Sequence, residues 1–198
     1  MYLFNKKIPE EVLRILTQIE NAGFEAYVVG GCVRDALLGK EPKDWDICTN
    51  AEPQQVIAIF GEANVHPTGL KHGTVTVVPE DGEGDGYEIT TYRVDGAYGD
   101  GRHPDEVTFT QNIENDLARR DFTINAMAYN PKTGLKDPFF GRDDLEQKII
   151  RCVGDPVARF KEDSLRILRG LRFSAQLGFA IDEETKNAMY QVIGDMKA

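Results

Sequence analysis

Cysteine, histidine and tryptophan are scarce in this chain, at three, three and one residues. Cys32, Cys48 and Cys152 are odd in number, far apart and without a CxxC pair, which disfavours a disulfide framework or a zinc site and points to a reducing cytoplasm. His66, His72 and His103 also lack metal-ligand spacing. No apolar run approaches the roughly 18 to 20 residues of a membrane span. The opening MYLFNKKIPEEVL has no signal-peptide core, so no membrane association is expected. Basic residues are in the minority, 23 Lys and Arg against 33 Asp and Glu, for a net charge of −10. That balance excludes a general nucleic-acid coat, which is usually basic. The deficit is uneven. From Arg151 to Arg172 six basic residues face three acidic ones, a local +3 that leaves −13 for the rest. Such a segment suits a focused anionic ligand, such as a nucleotide.

What is present suits a globular protein. The 198 residues are 41% hydrophobic and 28% charged, enough for one good-sized domain or a domain with a smaller appendage. Val12, Ile15, Leu16 and Ile19 mark an amphipathic helix between Pro9 and Gly23. GFEAYVVGG reads as a strand, CVRDALLGK as a short helix, WDICT as a strand and PQQVIAIFG as a helix. GTVTVVPE and GYEITTYRV read as strands joined by the acidic, glycine-rich EDGEGD, a hairpin connection. Asp95–Glu106 is a loop long enough to suggest function. A helix is expected around IENDLARR, and the pattern turns helical from about Asp155. The expected fold is α+β, a mixed head followed by a helical element, with the boundary near Val153 to Pro156.

KDWDICTN places Asp44 and Asp46 one residue apart on what reads as a buried strand. Alternate residues of a strand share a face, so both carboxylates point one way and Trp45 and Ile47 the other. Two anions that close repel, and burying them without a counter-charge is costly. Magnesium, bound by hard oxygen ligands plus substrate phosphates, is the expected cation. Ten residues upstream, GGCVRDALLGK offers two glycines for close backbone approach, a helix start with free N–H groups, and Arg34 to bond phosphate oxygens. A glycine pair before a helix is usually only a turn, and a lone DxD usually a solvated feature. Together, in this order, they carry more weight.

Three further segments have two readings each. Glu88 in YEITTYR shares a face with Thr90; it is either a third carboxylate beside Asp44 and Asp46 or an ordinary exposed glutamate. Arg120 in ARRDFTINAMAYN either holds a triphosphate or forms a structural pair with an aspartate. In RFKEDSLRILRGLRF, Asp163, Arg166, Arg169 and Arg172 recur every three residues beside an apolar stripe of Leu165, Leu168 and Leu171. A solvated charged face is the default reading. The specific alternative rests on donor–acceptor sign. Asp163 accepts and Arg166 donates; cytosine and adenine pair an amino donor with a ring-nitrogen acceptor, whereas guanine and uracil present a carbonyl beside an N–H. The pair suits C and A.

GGCVRDALLGKEPKDWDICT, YEITTYR, RRDFTINAMAYN and EDSLRILRGLRF, in this order, resemble the class II tRNA nucleotidyltransferases, the CCA-adding enzymes, and the related bacterial poly(A) polymerases. The resemblance runs from about Tyr27 to Phe179. It implies a polymerase-β-like nucleotidyltransferase head over 1–153 and an all-helical, nucleotide-selecting neck over 154–198. It implies that Asp44 and Asp46 bind Mg²⁺ and that Glu88 is the third catalytic carboxylate. It also implies that Gly31, Arg34, Arg120, Asp163, Arg166, Arg169 and Arg172 bind the nucleotide. The implied reaction is template-independent addition of C and A to the 3′ end of tRNA, using CTP and ATP and releasing pyrophosphate. Members usually continue into RNA-gripping body and tail domains, so the chain is expected to be a fragment or a reduced member. The competing readings are a poly(A) polymerase, a partial enzyme adding only CC or A, a metal-dependent glycosyltransferase using its DxD, and a nucleotide-binding module without turnover.

Overall fold

Residues 8–79, 86–99 and 104–195 are described by the structure, a computed structural model. The first amphipathic pattern forms α1 (Glu10–Asn21), with Val12, Ile15, Leu16 and Ile19 buried. β1 (Ala26–Val29) leads through Gly30 into α2 (Gly31–Leu37). β2 is short, Ile47–Thr49, so Asp44 and Asp46 lie just ahead of it. α3 (Pro53–Phe60) starts with proline and a capping box between Glu52 and Gln55. β3 (Val65–Gly69), β4 (Thr74–Val77) and β5 (Tyr87–Thr91) follow. The EDGEGD connection (80–85) lies outside the described residues.

β6 (Arg93–Asp95) and β7 (Val107–Phe109) form a two-stranded ribbon at the base of the Asp95–Glu106 loop. Within that loop 100–103, including His103, lie outside the described residues. α4 (Ile113–Ala118) covers the IENDLARR segment, capped by the Asn112 side chain. β8 (Ala128–Asn130) and β9 (Gly134–Lys136) complete the seven-stranded sheet.

Across the sheet the order is β3, β4, β5, β2, β1, β8, β9. Among the described strands of this sheet only β2 and β5 pair in parallel, with Ile47 opposite Ile89 and Cys48 opposite Thr90. One face packs Val28, Ile47, Val75 and Ile89 against α1 and α3. The other packs Tyr27, Val29 and Cys48 against Ile113 and Leu117 of α4. β1 lies between these two layers and is buried along all four residues.

The chain then forms α5 (Gly141–Gln147), β10 (Ile149–Ile150), α6 (Pro156–Glu162), α7 (Leu165–Leu177), β11 (Ala180–Ile181) and α8 (Glu183–Asp195). The tail is helical except for β11, which pairs in parallel with β10. Phe160, Ile167 and Met189 share one apolar cluster with Phe122, Ile150 and the head sheet. No described helix is long and apolar enough to cross a membrane.

α7 presents a face the sequence did not suggest. Its buried residues are Arg166, Ile167 and Gly170. The Leu165, Leu168 and Leu171 stripe faces solvent, with Leu168 62% exposed. Met189 and Phe122 pack directly on Gly170, where a Cβ would stand 2.6 Å from Met189 Cε and 2.9 Å from Phe122 Cζ.

Candidate functional site

Asp44 and Asp46 are exposed and Trp45 and Ile47 buried, so the expected alternation holds. The expected burial does not: the carboxylates precede the strand and open to solvent. Each strand's pairing fixes its neighbour's position. One step back from the Ile47–Ile89 pair brings Glu88 beside Asp46 across the β2–β5 ladder. Protein crowding raises the Asp46 carboxyl above the usual carboxylate range; Arg120 pulls it back down, while Glu88 and Asp44 push it further up. Glu88 is therefore both exposed and close enough to Asp46 to act on it electrostatically. Among the described residues, no three His, Cys, Asp or Glu side chains converge as a ready-made cage for an ion.

Asp46 stands on the wall of a cleft of about 490 Å³. Gly31 and Arg34 reach that cleft from α2, Arg120 from the end of α4, and Asp163, Arg166, Arg169 and Arg172 from the start and body of α7. Residues scattered over 140 positions of sequence thus meet in one polar groove. Asp44 and Glu88 do not line it. The strand order β5, β2, β1 sets Glu88 and the Gly30–Gly31 turn on opposite sides of Asp46.

The glycine pair has a local cause. Gly30 sits at φ +79°, and a Cβ there would lie 3.1 Å from Arg120 Nη1. The close approach the sequence suggested is made by a guanidinium of the protein itself. Arg120 donates to Asp116 at 3.1 Å, while its buried Nε finds no acceptor among the described residues. Burial alone would weaken its charge, but Asp116 and Asp46 outweigh that and raise its pKa above the ordinary value. Arg34 is aimed by two bonds, Nε to Asp35 at 2.9 Å and Nη1 to Asn125 at 2.7 Å.

The stripe on α7 is less regular than its spacing. Asp163 is extended (φ −144°, ψ 103°) and sits ahead of the helix, where its Oδ1 accepts from Leu165 N at 2.9 Å. Its carbonyl also accepts from Arg166 N at 3.1 Å, so Asp163 caps the helix one turn ahead of Arg166. Arg166 is 7% exposed and committed to the protein: Nη1 donates to Glu162 at 2.9 Å and Nη2 to the Arg119 carbonyl at 3.3 Å. Arg169 Nε donates to Asp121 at 2.7 Å, and Arg172 is exposed. Phe173 also lines the cleft and was missed. The signal was available, since Arg169 and Phe173 stand four apart, the spacing at which helix side chains meet.

Residues 26–151 match the family described as the poly A polymerase head domain. The CCA-adding enzyme of Leuconostoc citreum is 52% identical over 188 residues, 93% of this chain and 45% of that protein. The crystal structure of the Bacillus stearothermophilus CCA-adding enzyme in complex with CTP is 44% identical with a TM-score of 0.82, covering 92% of this chain and 42% of that one. The Thermotoga maritima CCA-adding enzyme complexed with tRNA is 28% identical with a TM-score of 0.77, covering 98% and 45%. The chain thus spans under half the length of these relatives. With the family model matching well over half of its residues, the chain belongs to the poly(A) polymerase head domain family.

Proposed function

We propose that this chain carries the nucleotide-transferring head (1–153) and nucleotide-selecting neck (154–198) of a tRNA CCA-adding enzyme. The observation that carries this reading is the single cleft in which Asp46, Arg34, Arg120 and the residues of α7 converge. The relatives solved with CTP and with tRNA support the same substrates here.

Asp44 and Asp46 would hold Mg²⁺. Two exposed carboxylates with no ion pair to a described residue suit an ion that takes only one or two protein ligands and completes its shell with phosphate and water. Bound there, it would lower the pKa of the attacking hydroxyl and neutralise charge on the triphosphate. Gly31, Arg34, Arg120, Arg169 and Arg172 hold the triphosphate in this reading. Asp163 and Arg166 read the base, with the donor–acceptor pattern that favours CTP and ATP.

In-line displacement sets the attacking 3′-hydroxyl opposite the leaving pyrophosphate. The arginines lie on the β1 side of Asp46 and Glu88 on the β5 side, so the RNA end enters over β5 and β4. There Glu88 is the third carboxylate, beside the paired hydroxyls of Thr74 and Thr90. The 3′-oxygen bonds to the α-phosphorus, the bond to the β-phosphate breaks, and the hydroxyl proton passes to solvent. The cytoplasm is the proposed setting, and three free, buried thiols suit it.

The test is incubation with tRNAs lacking CCA, CA or A and labelled CTP or ATP. Stepwise completion of CCA supports the reading. Long A-runs on unrelated RNA would identify a poly(A) polymerase instead, addition of only CC or only A a partial enzyme, and nucleotide binding without incorporation a module without turnover.

A further inference from the structure

Among the described residues Phe173 is the one aromatic ring on the cleft wall, and two guanidiniums rest against it. Arg34 Cζ lies 5.2 Å from the ring centroid and Arg169 Cζ 5.5 Å. The ring is itself braced edge-on by Phe122, at 6.0 Å between centroids and 84° between planes. Phe122 is fully buried in the main core. The chain of support therefore runs from the core, through one half-buried ring, to two cations drawn from opposite ends of the sequence.

Each guanidinium is tethered on one side only. Arg34 is held through Nε and Nη1, and Arg169 through Nε to Asp121. Arg34 Nη2 and both Nη atoms of Arg169 make no hydrogen bond to a described residue. Arg34 Nη2 lies next to the Gly31 backbone, 3.7 Å from where its Cβ would stand.

Two like charges in one groove repel, and long side chains lose rotamer freedom when held. An aromatic face offsets both costs, because its negative quadrupole attracts each cation. An aliphatic side chain of similar size fills the space without that attraction.

We propose that Phe173 is a positioning residue for a polyphosphate. Its ring holds Arg34 and Arg169 in a fixed relation, leaving their unbonded N–H groups to grip adjacent phosphates of one ligand. The inference rests on the nucleotide-transfer reading only for the ligand's identity; the anion site itself is tested separately.

The experiment compares the full chain with Phe173→Leu and Phe173→Tyr by calorimetry, using inorganic tripolyphosphate, CTP and CMP in magnesium, alongside the tRNA assay and thermal melts. Phe173→Leu is expected to weaken tripolyphosphate and CTP about three- to tenfold, leave CMP within about twofold, and raise KM for CTP more than it lowers kcat. Phe173→Tyr keeps the ring and restores affinity. Equal losses for CTP and CMP would mark a merely structural ring and overturn the proposal, as would unchanged affinities in Phe173→Leu or failure of Phe173→Tyr to rescue. If tripolyphosphate binding depends on Phe173 but no tRNA is extended, the positioning role stands and the CCA-adding reading falls. If tRNA is extended while Phe173→Leu binds normally, the reverse holds.

Discussion

Arg166 meets the cleft already paired, its Nη1 donating at 2.9 Å to the carboxylate of Glu162, the last residue of α6. In the proposed reading, a base entering the cleft would meet a guanidinium whose orientation is fixed before binding. The Arg159 carbonyl, Tyr98 hydroxyl and Arg119 carbonyl take its other bonds. Removing Glu162 leaves a nearly buried cation short of its counter-charge. Glu162→Ala should cost about 1–3 kcal/mol of stability and relax the choice of CTP over UTP. Urea unfolding and competition between the two nucleotides read both effects; unchanged discrimination would sink the orienting role.

Asp163 is expected to act on selectivity with a smaller stability cost. It is half-exposed, and its one side-chain bond is to Leu165 N. Asp163→Ala should lose about 0.5–2 kcal/mol, the range of a helix-cap deletion, while GTP and UTP gain ground against CTP and ATP. Retained selectivity in single-nucleotide incorporation would move base reading elsewhere.

Asp46 gives a prediction with a defined sign. Its pKa is higher folded than unfolded, chiefly through the protein crowded around this solvent-facing carboxyl, with Arg120 opposing and the Glu88 and Asp44 charges adding to the rise. Its stabilising share is thus fully present below the unfolded value of about 3.9 and is lost as pH rises through the folded value. At neutral pH without divalent ion the charged form opposes folding. Asp46→Asn should raise the melting temperature there and abolish transfer. A lower melting temperature in calorimetry would contradict the electrostatic account.

Gly170 and the leucines of α7 test which way that helix faces. Gly170→Ala places a methyl against Met189 Cε, which can shift, and Phe122 Cζ, which is locked in the core. The expected cost is about 1–3 kcal/mol. Leu168→Gln, on the solvent side, should stay within about 0.5 kcal/mol. Denaturant midpoints giving the opposite ranking would mean the helix is turned the other way.

The residues of the cleft were largely legible in sequence, and their relations were not. Asp44 and Asp46 announce themselves by spacing, and the alternation with Trp45 and Ile47 is local physics. Glu88 reaches Asp46 only through a parallel pairing forty residues away, which no local pattern encodes. The α7 stripes were ambiguous because a three-residue repeat drifts around a helix of 3.6 residues per turn. Two stripes of equal length then compete for the core, and Gly170 decides, since only that side lets the helix come close to Phe122. β8 and β11, at three and two residues, exist by virtue of their partners and carry no period long enough to read.

The ladder between β10 and β11 joins the two proposed segments by backbone hydrogen bonds, as Phe160 and Met189 do by sharing a core with Phe122. Exchange of the proposed neck is thereby constrained: a foreign segment would have to supply both a partner for β10 and the side chains that pack on Phe122.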